Sequence, residues 1–255
     1  LNDMGTGAEP MIKIENLTKR FGPHVAVDHL NLKVAKGEFF CFLGPNGAGK
    51  TTTIKMLNGL LKPTEGRAVL GGYDIQKEPV KTKGLLGYIP DHPFLYDKLT
   101  AREFMYFVAG LYDIPDEKVR NEGEYLMQIF EISHVADQLI EDYSHGMRQK
   151  LSFASCFLHE PQIVIVDEPW VGLDPKNIRF VRDFLKEKTR NEGLTVFMST
   201  HTLSIVEEVA DRVGIIHKGK LLQTGSLEEV MALAETSGRL EDVFLQLTRE
   251  EEELV

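Results

Sequence analysis

The chain has 255 residues, a length that suits one large α/β domain or two small ones. Hydrophobic residues make up 42% and charged residues 27%, the balance of a globular protein, and a formal net charge of -10 argues against a nucleic-acid partner held by a broad basic surface. Uninterrupted apolar runs such as FFCFL (39–43) fall far short of the roughly 20 residues of a membrane-spanning helix, so work at a membrane would need another chain to do the spanning.

In chain order, LNDMGTGAEP (1–10) has neither the basic start nor the apolar core of a secretory leader; a tag remnant or disordered end is expected, with Met4 or Met11 as the natural start. Three short apolar stretches follow, at 11–17, 25–34 and 38–43. The second alternates, placing Leu30, Leu32 and Val34 on one face of a half-buried strand. The third is apolar almost throughout, as a central strand covered on both sides must be. From Lys50 the period turns helical, with Ile54, Leu57 and Leu61 on one face and Pro63 at the end. Between about Thr100 and His159 the pattern is mostly helical, with helices expected over 101–111, 116–130 and 146–159. Ser144 suits the N-cap of the last, and a helix start with a hydroxyl and a glycine beside it is a good anion site. Strands and helices then alternate over 162–166, 175–191, 195–199, 203–210 and 213–217, which makes an α/β core interrupted by a helical insert. After Gly219 a small tail remains, with Leu240, Phe244 and Leu247 on one helical face and an acidic run, Glu250 to Glu253, expected in solvent. Cys41 and Cys156 both lie in apolar segments and are expected buried and reduced.

The sharpest signal is GPNGAGKTT (44–52), which follows the central strand, opens a helix, and fits G-x-x-x-x-G-K-[ST] in full. Gly44, Gly47 and Gly49 allow tight turns, so that the loop, with Pro45, Asn46 and Ala48, wraps its backbone around phosphate oxygens. Lys50 reaches the β- and γ-phosphates, the Thr51 hydroxyl suits Mg²⁺, and Thr52 suits the α-phosphate. The loop alone leaves ATPase, GTPase and kinase open. IVIVDEP (163–169) narrows the choice: a buried strand ends in Asp167, placed to hold Mg²⁺ beside Thr51, and Glu168, the natural general base for an attacking water. The Asn-Lys-x-Asp guanine reader of a GTPase is absent from the sequence.

With these motifs in this order, the chain resembles the nucleotide-binding subunit of an ABC transporter over nearly its whole length, from about Met11 to Leu247. YSHGMRQK (143–150) resembles the family signature, usually Leu-Ser-Gly-Gly-Gln. The departures are Tyr143, His145 and Met147, while Ser144 and Gly146 keep the hydroxyl and the close backbone approach that phosphate contact needs; this form resembles the branch with ABC-2-type membrane partners. The resemblance implies an α/β fold with a P-loop NTPase (RecA-like) core at about 11–90 and 161–218, a helical signature subdomain at about 91–160, a small antiparallel β region, and a tail from about 219, all in one domain spanning 11–249. It implies ATP and Mg²⁺ as cofactors, with Ser144 and Gly146 capping the nucleotide held by a second, head-to-tail subunit, identical or not. His201 resembles the switch histidine at the γ-phosphate, Asp174 in VGLDP (171–175) the aspartate of the loop crossing the dimer interface, and Phe21 the ring that stacks on adenine. Where the family usually has a Gln touching metal and water, this chain has Asp91, read as a catalytic and metal-binding subgroup feature. Pro93, Phe94, Leu95 and Tyr96, just beyond it, suit a groove that receives a partner's short helix.

The expected activity is therefore ATP hydrolysis coupled to transport, with ABC-2-type export favoured. The expected partner is an integral membrane permease that holds the protein peripherally on the cytoplasmic face, with no nucleic acid involved. The alternative is a soluble or regulatory ABC ATPase not coupled to transport.

Overall fold

The alternation between inward and outward side chains builds two sheets. In the computed structural model, which describes residues 9–170, 173–234 and 239–253, the first sheet is antiparallel and orders its strands β2-β1-β4-β5. These strands are β1 (Ile12–Phe21), β2 (His24–Val34), β4 (Glu65–Leu70) and β5 (Tyr73–Asp74). The second sheet orders β10-β9-β3-β8-β7-β6, from β3 (Phe39–Leu43), β6 (Leu86–Ile89), β7 (Ile163–Asp167), β8 (Thr195–Thr200), β9 (Arg212–His217) and β10 (Lys220–Ser226). All its pairings are parallel except β10 against β9. Residues 1–8 of the expected terminal segment, and Val171 and Gly172 of VGLDP, lie outside the described residues.

Period-two alternation on β3 divides the core. Phe39, Cys41 and Leu43 join one apolar cluster with Val164, Val166, Val196 and Met198, under the helices Ala101–Leu111, His145–Phe157 and Pro175–Glu192. Phe40 and Phe42 face the other way, into a cluster with Ile54 and Leu57 of the helix Lys50–Leu57 and with the first sheet. There they close on Phe197, with ring centroids 5.5 and 5.4 Å apart. Leu30, Leu32 and Val34 are buried together as expected, and both cysteines are free and buried. Burial pushes the Cys156 thiol up to about 12.

Some boundaries differ from the expectation. The helix after the phosphate loop stops at Leu57, not near Pro63: Asn58 caps it, and Gly59, at φ +67°, takes the left-handed conformation that ends a helix. The expected helix 116–130 is interrupted by a π turn over Val119–Gly123 between α segments Asp116–Lys118 and Glu124–Ile129. The segment after Gly219 is no loose tail at its start, because β10 is an edge strand of the central sheet. Farther on, Leu240 and Val243 of the helix Leu240–Glu253 are buried in the main cluster, with Phe244 and Leu247 packed against it.

Candidate active site

Parallel strands deliver their C-terminal ends to one edge of the sheet, and the spatial order β3-β8-β7-β6 lines up four chain turns there. β3 runs into the phosphate loop, β8 into His201, β7 ends at Asp167 and Glu168, and β6 is followed by Asp91. The sequence-distant candidates thus meet because their strands are neighbours. A groove of about 420 Å³ follows, lined by Phe21, the loop residues Pro45 to Gly47 and Gly49 to Thr52, Asp91 and Glu168.

The loop geometry explains its glycines. Gly49 sits at φ +106°, and a Cβ there would stand 2.5 Å from the Ala26 carbonyl oxygen; a Cβ on Gly44 would stand 2.4 Å from the Ile216 carbonyl oxygen. Gly44 and Ala48 do not line the groove. Ala48 is buried, and its N–H donates within the loop to the Pro45 carbonyl at 3.2 Å. Lys50 is buried, with Nζ 2.6 Å from the Gly44 carbonyl oxygen, 3.2 Å from that of Pro45 and 3.4 Å from Glu168 Oε1. His201 Nδ1 lies 2.9 Å from the same Glu168 oxygen, so one carboxylate oxygen is shared between an ammonium and an imidazole. Glu168 itself stands at φ +45°, a left-handed conformation rare for a side-chain-bearing residue, and its N–H donates to the Ser199 carbonyl at 3.2 Å.

Asp167 is buried. Its Oδ1 accepts from Ser199 Oγ at 2.5 Å, and Thr51 also hydrogen-bonds to it. Burial above all raises its carboxyl above the ordinary aspartate range, against those two hydrogen bonds and with the charges of Asp91 and Glu168 adding to the rise. Oδ2 is buried with no partner. An orphaned carboxylate oxygen beside a threonine hydroxyl fits a divalent cation. Asp91, Asp167 and Glu168 do not form a cage by themselves: among the described residues no three His, Cys, Asp or Glu are grouped to hold a metal. Mg²⁺ typically takes one or two carboxylates and completes its shell with phosphates and water.

Phe21 ends β1 at a tight turn and leaves its ring 49% exposed at the groove, with Lys19 Nζ 5.1 Å from the ring centroid. Ser144 caps the helix His145–Phe157, accepting from the Met147 N–H at 3.3 Å; the helix begins one residue earlier and ends two earlier than expected. Asp174 caps the helix Pro175–Glu192, accepting from the Asn177 N–H at 2.9 Å. Neither Ser144, Gly146 nor Asp174 lines the groove. Ser199, beside the groove, and two residues of its wall, His24 and Ala26, escaped the sequence reading. Ser199 pairs with Asp167 only through the β7–β8 register, although its place two residues before His201 was the available signal. His24 enters the groove across the turn from Phe21.

Comparison with known proteins places the fold in a family. The ABC transporter family matches residues 27–171. The bacitracin transport ATP-binding protein BcrA of Bacillus licheniformis is 40% identical over 213 residues, 84% of this chain and 69% of that protein. The linearmycin resistance ATP-binding protein LnrL of Bacillus subtilis (strain 168) is 34% identical over 216 residues, 85% of this chain and 69% of that protein. A solved structure of an ATP-binding subunit of an ABC transporter superposes with a TM-score of 0.87 at 29% identity, covering 93% of this chain and 99% of the other. The phosphate loop, the carboxylates at the end of β7 and the histidine after β8 thus occur on a chain that belongs to the ABC transporter family as an ATP-binding, ATP-hydrolysing subunit.

Proposed function

We propose that this chain works as half of an ATP-driven clamp, closing head to tail on a second ATP-binding subunit and driving export through a membrane permease. One observation carries the reading: Ser144 caps an exposed helix start beside Gly146, and neither residue lines the chain's own groove. Ser144 and His145 are exposed, at the start of a helix whose unpaired N–H groups favour an anion. A γ-phosphate from another chain's groove is the ligand that such a corner fits, and Asp174, exposed at the start of the helix Pro175–Glu192, is free to meet the second chain in this reading.

In this reading adenine stacks on Phe21. Lys50 exchanges its contacts to the Gly44 and Pro45 carbonyls for the β- and γ-phosphates, and Thr52 meets the α-phosphate. Glu168 accepts a proton from water, while His201, held on its Oε1, orients the carboxylate and meets the γ-phosphate. Thr51 and Asp167, with Asp91 at the groove wall, would hold Mg²⁺, which supplies charge neutralisation between the phosphates. Hydrolysis then removes the anion that joins the two subunits, and the clamp reopens.

The permease site is an apolar groove of about 340 Å³ beside the active site, lined by Leu60, Leu95, Phe104, Val108 and Leu111 and flanked by Phe94, which is 85% exposed. Export is favoured by the signature form and by a relative named for linearmycin resistance. Among the described residues no helix is long and apolar enough to cross a membrane, so the permease would hold the chain at the cytoplasmic face. Affinity capture of the tagged chain from gently solubilised membranes tests this. A multi-spanning protein in stoichiometric amount is expected; ribosomal or DNA-repair proteins with no membrane partner would contradict coupling to transport.

A further inference from the structure

The loop after β6 and the signature corner touch through residues that hydrolysis does not use. The His92 N–H donates to Asp91 Oδ1 at 2.9 Å, and its ring Nδ1 stands 3.0 Å from Asp91 Oδ2. The same ring meets His145 edge to face, with centroids 6.3 Å apart and planes at 84°. The His92 side chain is 74% exposed, so its orientation comes from the carboxylate and the second ring rather than from burial. Farther along, Arg148 Nη1 donates to Asp97 Oδ1 at 2.7 Å, and the N–H groups of Ile140 and Glu141 donate to the carbonyls of Leu99 and Asp97 at 2.9 and 3.1 Å. Residues 91–99 and 140–148 therefore meet at two places, a ring contact at His92 and hydrogen bonds at Asp97 and Leu99.

Asp91 lines the groove of its own chain with Thr51 and Glu168, whereas Ser144 and Gly146 lie off it. We propose that His92 is a positioning residue that joins the two ATP sites of the closed pair: it orients Asp91 in its own groove and, through His145, sets the corner that caps the other nucleotide. This rests on the head-to-tail reading above. Nucleotide that draws the Asp91 carboxylate toward Thr51 pulls on His92, and the ring carries that movement to the helix start at Ser144. Filling one site thereby prepares the corner offered to the other, which makes ATP use cooperative.

The test is steady-state hydrolysis by the full chain, varied in ATP and separately in Mg²⁺, for His92→Ala, His145→Ala and the double variant, with ATP-induced dimerisation measured in the Glu168→Gln background. His92→Ala is expected to raise the half-saturating Mg²⁺ about fivefold, and each single variant to bring the Hill coefficient for ATP toward one, with the double variant no worse than His92→Ala alone. His92→Asn donates to the carboxylate but offers no ring; it should restore the Mg²⁺ requirement and leave the Hill coefficient low. Effects of the two alanines that multiply independently, or a Hill coefficient that survives both, overturn the link while leaving the dimer standing. No ATP-driven dimer from the Glu168→Gln chain with both histidines in place overturns the head-to-tail reading, and the link with it.

Discussion

At the residue scale the site is a balance of charges around Asp167 and Glu168. Glu168 shares one oxygen between Lys50 and His201, so its removal should disable the base without emptying the groove. Glu168→Gln is expected to lower kcat by about 100-fold or more while ATP still binds, as turnover and equilibrium binding would show. Asp167 makes a prediction of opposite sign. Its carboxyl is raised in the folded chain, chiefly by burial, so the native state holds that proton more readily than the unfolded state does. Its contribution to nucleotide-free stability therefore falls as pH rises from the ordinary aspartate range through the raised value, and stays unfavourable above it. Asp167→Asn should raise the melting temperature of the nucleotide-free protein near neutral pH, and the gain should shrink in acid; hydrolysis should be lost. Asp91→Gln keeps ATP binding, and the Mg²⁺ concentration for half-maximal velocity is expected to rise about tenfold. Kinetics unchanged across Mg²⁺ concentrations would remove Asp91 from the metal site. The groove residues were legible because their spacing is tied to chemistry: the glycines, Lys50 and the two carboxylates must stand in that order. The pairings of Ser199 with Asp167 and of His92 with His145 were not, since each forms through space, across a strand register or between two loops, although Ser199 stands two residues before His201.

At the element scale, strands and helices followed from period and capping where these were strong. The helix Ala101–Leu111 has a capping box, Thr100 with Glu103, and its expected bounds match. The helix Lys50–Leu57 was overextended because Leu61 continues the apolar spacing beyond an Asn58–Gly59 stop, and the stop is the stronger local signal. The π turn at Val119–Gly123 leaves the apolar pattern almost unchanged, so periodicity did not show it. The C-terminal helix was legible as amphipathic, yet its docking place depends on tertiary packing: Leu240 reaches the core cluster, and its N–H donates to Glu207 of the helix Leu203–Val209. Two substitutions separate fold from function at this scale. Leu240→Ala should cost about 2–5 kcal/mol in denaturant unfolding with the phosphate site chemically intact. Ser144→Ala should cost only about 1 kcal/mol through its lost cap, while depressing ATP-driven association far more than that stability loss explains.

At the scale of the whole molecule, one sheet edge gathers the phosphate loop, Asp167, Glu168 and His201, while the Ser144-capped helix start, the proposed second anion corner, lies off that groove. The order of motifs made the single α/β architecture legible, but which corner serves which chain is a property of two molecules and is written in neither one's periodicity. The head-to-tail clamp is the central claim, and sedimentation of the Glu168→Gln chain with ATP and Mg²⁺ tests it most directly. The account predicts a shift from monomer to dimer that requires ATP and is abolished when Ser144→Ala is added. A monomer at saturating ATP, or a dimer indifferent to both nucleotide and Ser144, would contradict it.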